Sequence, residues 1–251
     1  MQPLTRQNIR LAATVLLLRE SPDGPEVFMM QRPGGVDFPD LHVFPGGKVD
    51  DQDLLEGCVS GCAQADADRL LGVGGGGQRY WVAAIRECFE ECGVLLARRE
   101  GQFLEMVDTL ELERFNGYRQ SLIDGGISMA DLCAEEDLVL AADCLLYFSH
   151  WLTPEAAPRR FDTRFFVARM PTNQDTRAHA WETAGEHWVS AAAALEAGAS
   201  GRWQMISPTL ITLESIRNYA SVDAIFDAVL QETHLPTLTD DLHQQGMQTL
   251  R

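Results

Sequence analysis

The segment from residue 86 to residue 94 reads Arg-Glu-Cys-Phe-Glu-Glu-Cys-Gly-Val, and it restricts the possible folds of this chain more than any other stretch. If residues 82–96 form a helix, at about 100° per residue, their apolar side chains fall within about 60° of Ile85. The glutamates fall on the opposite side. Such a helix can pack against a sheet and present a carboxylate face. The apolar stripe comprises Val82, Ile85, Phe89, Cys92 and Leu96, and the acidic face comprises Glu87, Glu90 and Glu91.

Three carboxylates on one helix face repel one another, and like charges four residues apart destabilise a helix. A solvated face usually contains lysines as well, but no lysine follows Lys48 in this chain. A hard divalent cation would relieve the repulsion, and Mg²⁺ is the expected choice because it bridges carboxylates and phosphate oxygens. An exposed acidic face without a ligand is the alternative, and the glutamates alone do not decide between the two.

A second motif, Phe44-Pro45-Gly46-Gly47-Lys48-Val49-Asp50, lies upstream of the acidic helix. Residues 86–94 match the pattern Arg-Glu-hydrophobic-x-Glu-Glu-x-Gly-hydrophobic, which is the second half of the Nudix box. Pro45-Gly46-Gly47 resembles the entry to the same box. With both halves in the expected order, the chain resembles the Nudix hydrolases.

The box is interrupted in this chain. Gly47 and Arg86 are 39 positions apart, so 25 extra residues separate the two halves. Asp53 stands where the uninterrupted box has a glutamate, and we expect it to be a weak substitute. Interruption at this point, together with residues 151–154 and 160–166, resembles the branch that includes the peroxisomal coenzyme A diphosphatase.

The resemblance predicts an α/β fold of the α+β type, a Nudix-like α/β/α sandwich with a mixed β-sheet. We expect one domain over residues 1–251, with an insertion at about 51–78, a helical insertion at about 100–142 and C-terminal helices at about 207–251. Residues 72–77 include four consecutive glycines and are interpreted as a flexible tether. Periodicity predicts strands at 10–18, 25–31, 41–44, 144–151, 163–170 and 178–189, and helices at 62–71, 80–99, 103–140, 191–197 and 207–231.

The resemblance also implies roles for individual residues. Glu90 and Glu91 would be ligands of Mg²⁺, which Mn²⁺ could replace, and Glu87 would be a ligand or the base. The carbonyl of Gly46 would add a backbone ligand. Arg86 would orient the glutamates.

The general base could also lie outside the box, where Glu182 and Glu186 are the candidates. Glu186 is slightly favoured because acidic residues recur near the metals shortly before such a tryptophan in the family, although a surface role is equally compatible. For the substrate phosphates, Arg32 and Arg160 are the candidate ligands. Arg159 and Arg164 extend the basic island around Arg160, but neighbouring strand residues face opposite ways, so the island cannot all enter one pocket.

The expected reaction is metal-dependent hydrolysis of a diphosphate linkage in a small nucleoside diphosphate derivative, with coenzyme A or acyl-coenzyme A as the preferred substrate. An ADP-ribose or dinucleotide pyrophosphatase is the alternative. A non-catalytic nucleotide-sensing module is a further alternative, although such modules usually lose the box glutamates.

Composition limits the partners and the location. With 37 acidic and 20 basic residues the formal charge is −17, which disfavours a nucleic-acid polymer. Residues 11–18 form the longest apolar candidate, which is too short to span a membrane, so no membrane partner is expected. The sequence shows no export signal, and the six cysteines are interpreted as reduced, with Cys88 and Cys92 as packing residues. We therefore expect a cytoplasmic protein. The resemblance also allows a homodimer.

Overall fold

A computed structural model describes residues 9–32, 40–155, 157, 159–177 and 185–234. Short 3₁₀ turns lie at Asp51–Asp53 and Ala142–Cys144. The strands are β1 (Ile9–Ser21), β2 (Gly24–Gln31), β3 (His42–Val43), β4 (Gly46–Lys48), β5 (Val59–Ser60), β6 (Ala97–Arg99), β7 (Gln102–Phe103), β8 (Leu138–Ala141), β9 (Leu146–Leu152), β10 (Arg160–Arg169) and β11 (Gly185–Val189). The helices are α1 (Gln64–Leu71), α2 (Gln78–Cys92), α3 (Thr109–Ile123), α4 (Met129–Glu135), α5 (Ala191–Ala199), α6 (Ser207–Ile216) and α7 (Val222–Leu230).

The main sheet has the strand order β11-β2-β1-β10-β9. Strands β1 and β10 are parallel, and the other described pairs in this sheet are antiparallel, so the sheet is mixed as predicted. Strand β1 pairs with β2 near its C-terminal end and with β4 near its N-terminal end, while β3 pairs with β2. Because β4 pairs with β1, the Pro-Gly-Gly segment lies against a central strand of the sheet.

Helices cover both faces of the main sheet, because β1 is apolar on both sides. Val15 and Leu17 pack in one core with α2, and Leu16 and Leu18 pack in a second core with α5, α6 and α7. Alternate residues of a strand point to opposite faces, which explains how one continuous apolar run serves two cores. The predicted α/β/α sandwich is confirmed.

The segment that interrupts the Nudix-like box is packed into the protein. Its strand β5 joins a second sheet, of order β5-β8-β6-β7, and Ala67 and Leu71 of α1 are buried in the same core as α2. The glycine run after α1 forms a turn rather than the expected loose tether. Gly72 ends α1 in the left-handed conformation, and the backbone N–H of Gly77 donates to Asp68 Oδ1 at 2.6 Å.

Several predicted boundaries were wrong. The helix predicted at 80–99 ends at Cys92, since Gly93 adopts a φ of 76° and the chain continues to β6. The region predicted to be helical at 103–140, with an interruption at Gly125-Gly126, has α3 and α4 on either side of these glycines, but its two ends belong to β7 and β8. The helix predicted at 207–231 is two helices, α6 and α7. Of the strand predicted at 178–189, residues 178–184 lie outside the described part. In the ranges that the structure describes, no helix combines the length and apolar character needed to cross a membrane.

Candidate active site

Helix α2 crosses the strands of the main sheet, and this crossing places its acidic face. Arg164, Ala13 and Gly47 are aligned across β10, β1 and β4. The Tyr80 ring lies 5.8 Å from the guanidinium carbon of Arg164, and the Glu87 carboxylate lies against Gly47. Two helical turns, about 10.5 Å, separate Tyr80 from Glu87. Arg164 and Gly47, which lie beneath Tyr80 and Glu87, are two strand spacings apart, about 9.6 Å. Because the separation along the helix matches the separation across the strands, the helix axis runs across the sheet.

The two glycines of the upstream motif are required by two different neighbours. A Cβ at Gly46 would lie 2.7 Å from Thr14 Cα, inside the backbone of β1. A Cβ at Gly47 would overlap the carboxylate of Glu87. The backbone N–H of Gly46 also donates to Glu91 Oε2 at 2.7 Å. The motif therefore lets the chain pass between the sheet and the glutamates, and it binds one of them.

Arg86 lies among the carboxylates and connects them. Its Nη1 donates to Glu87 Oε1 at 2.9 Å and to Glu90 Oε2 at 3.1 Å, and its Nη2 donates to the carbonyl of Lys48 at 2.7 Å. Although burial would lower the pKa of Arg86, hydrogen bonding to Asp53 and the nearby negative charges raise it. Arg86 is therefore a permanent cation that joins both halves of the interrupted box.

Asp53 holds the other side of Arg86. Its Oδ1 accepts from Arg86 Nε at 2.8 Å and its Oδ2 from Nη2 at 3.1 Å, and its side chain is only 1% exposed. Oδ2 also accepts from the backbone N–H of Asp50 at 2.7 Å. Paired, charge-assisted bonds of this kind are strong and directional. Asp53 therefore binds Arg86 from the position where the uninterrupted box has a glutamate, and its strength as a substitute in catalysis stays a prediction.

This environment changes the ionisation of Glu87. Burial raises the pKa of Glu87 to about 7, the charge on Arg86 opposes the shift, and the charge on Glu90 adds to it. The predicted ligands Glu87, Glu90, Glu91 and Gly46 are thus brought together at one place, with their carboxylates crowded in a partly buried position.

The donor set fits a hard divalent cation in its chemistry, because it consists of carboxylate oxygens beside backbone. As the side chains stand, no group of three or more acidic, His or Cys residues within the described ranges converges tightly enough to hold a metal ion. The reason lies in their partners. Arg86 binds Glu87 and Glu90, and the Gly46 N–H binds Glu91, so these oxygens point to protein donors.

Of the two candidate bases outside the box, Glu182 lies outside the described residues. Glu186 is exposed on β11, opposite Met30 of β2. It shares a sheet face with Trp188, whose ring packs on Phe28 in the core beneath α2. Glu186 is therefore on the same side of the sheet as the carboxylate face, with β2 and β3 between it and Gly46.

The predicted phosphate ligands are not gathered into one cluster. Arg160 begins β10, and its Nε donates to the carbonyl of Thr153 at 3.1 Å. Arg164 is buried, lies over Tyr80 and contacts Asp162 at 3.3 Å. Arg32 follows β2, where its backbone pairs with Leu41. Arg164 is thus a structural residue, and the substrate roles of Arg32 and Arg160 stay predictions.

A cavity of about 610 Å³ opens at the C-terminal ends of β1 and β10, lined in part by Arg19, Arg169 and Trp188, and it contains none of the box residues. Arg119 was not predicted as a site residue, but it is a buried arginine on α3 that contacts the last turn of α2. The sequence signal was a charged residue in the apolar stripe of α3, between Phe115 and Leu122.

If the carboxylate face binds a metal ion as the resemblance implies, Gly47→Ala is expected to lower kcat/KM by at least about tenfold, because residues that support metal ligands typically matter by 10- to 100-fold. The added methyl group would displace the Glu87 carboxylate, and crowding of this kind costs about 1–3 kcal/mol of stability. Gly74→Ala is the matched control, since a Cβ there meets nothing within 4 Å and its φ is not positive. Steady-state kinetics and thermal unfolding check both; equal effects at the two glycines would contradict the assignment.

Comparison with known proteins identifies the family. A family model described as the NUDT19 Nudix domain matches residues 76–215, which is more than half of the chain. The chain belongs to this family. The matched span begins within the last residues of the insertion and contains the whole of α2, whereas Pro45-Gly46-Gly47 lies before the span and is placed beside α2 by the fold.

Two curated relatives carry the same name. The acyl-coenzyme A diphosphatase NUDT19 of Xenopus laevis is 22% identical over 242 residues, which cover 83% of this chain and 64% of that protein. The acyl-coenzyme A diphosphatase NUDT19 of Gallus gallus is 29% identical over 266 residues, covering 85% of this chain and 69% of that protein. The chain therefore spans less than two thirds of the Xenopus protein.

A solved structure supports the fold. The crystal structure of a Nudix hydrolase from Alicyclobacillus acidocaldarius superposes with a TM-score of 0.73 at 24% identity, covering 89% of this chain and 97% of that one. Together with the family match, this gives the chain the fold of the Nudix hydrolases. Enzymes of this kind in general use divalent metal ions and act on small nucleotide derivatives.

Proposed function

We propose that this Nudix hydrolase is Mg²⁺-dependent, with Mn²⁺ as a substitute, and that its substrate is coenzyme A or acyl-coenzyme A. The observation that supports metal dependence is the carboxylate face of Glu87, Glu90 and Glu91, which Arg86, Asp53 and the Gly46 N–H hold beside the sheet. A face of three carboxylates next to a diphosphate would repel it without a cation between them.

Each residue of the site has its own role in the proposed hydrolysis. Glu87, Glu90 and Glu91 would hold the cation, with the carbonyl of Gly46 as an added ligand. When bound, the cation supplies positive charge to the phosphoryl oxygens and activates water. Arg86 would keep two of the carboxylates oriented, since its own position is set by Asp53 and by the carbonyl of Lys48. Arg32 and Arg160 would bind the phosphates of the substrate.

The substrate assignment rests on the relatives. Two proteins named acyl-coenzyme A diphosphatase align with more than 80% of this chain. Coenzyme A contains a diphosphate linkage and a further 3′-phosphate, and guanidinium groups suit such anions.

The experiment that tests the substrate and the metal is a turnover panel. Coenzyme A, an acyl-coenzyme A, ADP-ribose, NADH and a diadenosine polyphosphate are incubated with the wild-type protein, with Mg²⁺, with Mn²⁺ and with EDTA. We expect the coenzyme A compounds to have the highest kcat/KM and EDTA to abolish turnover. Preference for ADP-ribose or a dinucleotide would overturn the substrate proposal, and turnover in EDTA would overturn the metal proposal. Calorimetric binding without turnover would indicate a nucleotide sensor.

Glu186 is proposed as the general base. Glu186→Gln is then expected to lower kcat by about 10²- to 10⁴-fold, the usual contribution of a positioned base, while KM changes little. Glu113→Gln on the exposed side of α3 is the control and should behave as wild type. Kinetics across pH 5–9 provide the measurement. A Glu186→Gln protein with wild-type kcat would return the base role to Glu87 or to Glu182.

A further inference from the structure

Helix α3 lies in the helical insertion and carries Arg119, whose guanidinium group is buried against α2. Arg119 is 5% exposed and lies on the same face of α3 as the buried residues Phe115 and Leu122. Burying a charged group is costly unless it is hydrogen-bonded. The guanidinium of Arg119 donates two hydrogen bonds to backbone carbonyls of other segments, so it holds the backbone of these segments together.

Of these two acceptors of Arg119, one lies in the last turn of α2 and the other in the segment before residue 178. Its Nε donates to the carbonyl of Glu90 at 2.9 Å, and its Nη1 donates to the carbonyl of Arg177 at 2.7 Å. The backbone N–H of Arg177 in turn donates to the carbonyl of Cys92 at 2.8 Å. The last four carbonyls of a helix have no partner within it, and positive charge at this end is favourable. Arg119 thus ties α3, the last turn of α2 and the segment before residue 178 together.

Gly93, the final glycine of the box, fits this arrangement. Its φ is 76°, a conformation that favours glycine, and a Cβ there would lie 3.2 Å from Arg119 Nη1 and 3.4 Å from the Arg177 carbonyl oxygen. The glycine therefore ends the helix and also leaves room for the guanidinium.

We propose that Arg119 is a positioning residue for the metal-binding carboxylates, which rests on the metal dependence proposed above. Glu90 and Glu91 belong to the last turn of α2, where a helix frays first. Arg86 and the Gly46 N–H hold the side chains of these glutamates, whereas Arg119 holds the backbone that carries them. Loss of Arg119 would let the last turn move, and the carboxylates would no longer be held in one arrangement.

The test compares Arg119→Met and Arg119→Lys with Arg114→Met. Arg114 is on the same helix but exposed, in an ion pair with Glu136 at 2.7 Å, so it controls for loss of a positive charge from α3. Two properties are measured: Mn²⁺ affinity by electron paramagnetic resonance, and amide hydrogen exchange of the metal-free protein. We expect Arg119→Met to weaken Mn²⁺ binding about tenfold or more, as outer-shell changes do, and to speed exchange within residues 88–94.

Arg119→Lys should recover part of the affinity, since an ammonium group keeps the charge and can donate to one carbonyl. Arg114→Met should match the wild type. The proposal is overturned if Arg119→Met binds Mn²⁺ as the wild type does, or if exchange rises equally throughout the core. Should Arg119→Met fail to fold, Arg119→Lys takes its place in the same two measurements. Weaker Mn²⁺ binding with faster exchange within residues 88–94 then supports the proposal, and wild-type values of both overturn it. If the wild type itself binds no Mn²⁺, metal dependence fails, while the exchange pattern still decides whether Arg119 holds the last turn of α2.

Discussion

Glu90→Gln is expected to lower kcat for diphosphate hydrolysis at least about 100-fold with either Mg²⁺ or Mn²⁺. Groups that only support metal ligands matter by 10- to 100-fold, so removal of a ligand charge should do at least as much. Glutamine keeps an oxygen that can accept from Arg86 Nη1, which lies 3.1 Å from Glu90 Oε2. The fold should therefore survive, and the loss should be one of cation binding and rate.

Three measurements separate these effects for Glu90→Gln: steady-state kinetics over a range of Mg²⁺ concentrations, Mn²⁺ affinity and thermal unfolding. Glu113→Gln removes an equal charge from the exposed face of α3 and should leave all three unchanged. A folded Glu90→Gln protein that turned over at more than a tenth of the wild-type rate would remove Glu90 from the site. If the wild-type kcat is restored at a much higher, saturating Mg²⁺ concentration, Glu90 contributes only to the affinity for the cation.

Asp53→Ala is expected to have the largest effect on stability. It would leave the buried guanidinium of Arg86 without the two bonds, of 2.8 and 3.1 Å, that now hold it. Breaking a buried ion pair from one side costs about 3–5 kcal/mol when the remaining charge has no other partner, and because Arg86 keeps Glu87 and Glu90 we expect a loss at the lower end of this range. Activity should also fall by about tenfold or more, since Arg86, no longer fixed by Asp53, would not keep Glu87 and Glu90 in one arrangement.

Asp51→Ala is a close control for Asp53→Ala. Asp51 lies two residues earlier in the same 3₁₀ turn and forms an ion pair with Arg79 at 3.0 Å, but it is fully exposed. Exposed pairs contribute little, so Asp51→Ala should leave both the denaturation midpoint and kcat near those of the wild type. Urea unfolding and kinetics on both variants provide the comparison. Similar stability losses at Asp51 and Asp53 would show that the turn, and not the Arg86 pair, is what matters.

The acidic face of α2 could be predicted because helical periodicity is local. Ile85, Phe89 and Cys92 are buried, as the stripe required, and the glutamates lie on the other side. The apolar run of β1 likewise predicted a buried strand. The end of α2 was misplaced because Val94, Leu95 and Leu96 continue the apolar pattern, whereas Gly93 ends the helix and these residues are buried in an extended segment.

Other properties depended on which segments meet in space. The partner of Arg86 is 33 positions away, across an insertion that the sequence suggested was loosely tethered and the fold packs into the core. Arg119 reaches Glu90 across 29 positions, from a helix with no place in the motif. The sequence by itself determined the family, the carboxylate face and the glycine pair, because each is a property of a short segment. Only the tertiary structure decided what holds the carboxylates in place, because hydrogen bonds between distant segments exist only once those segments are packed side by side.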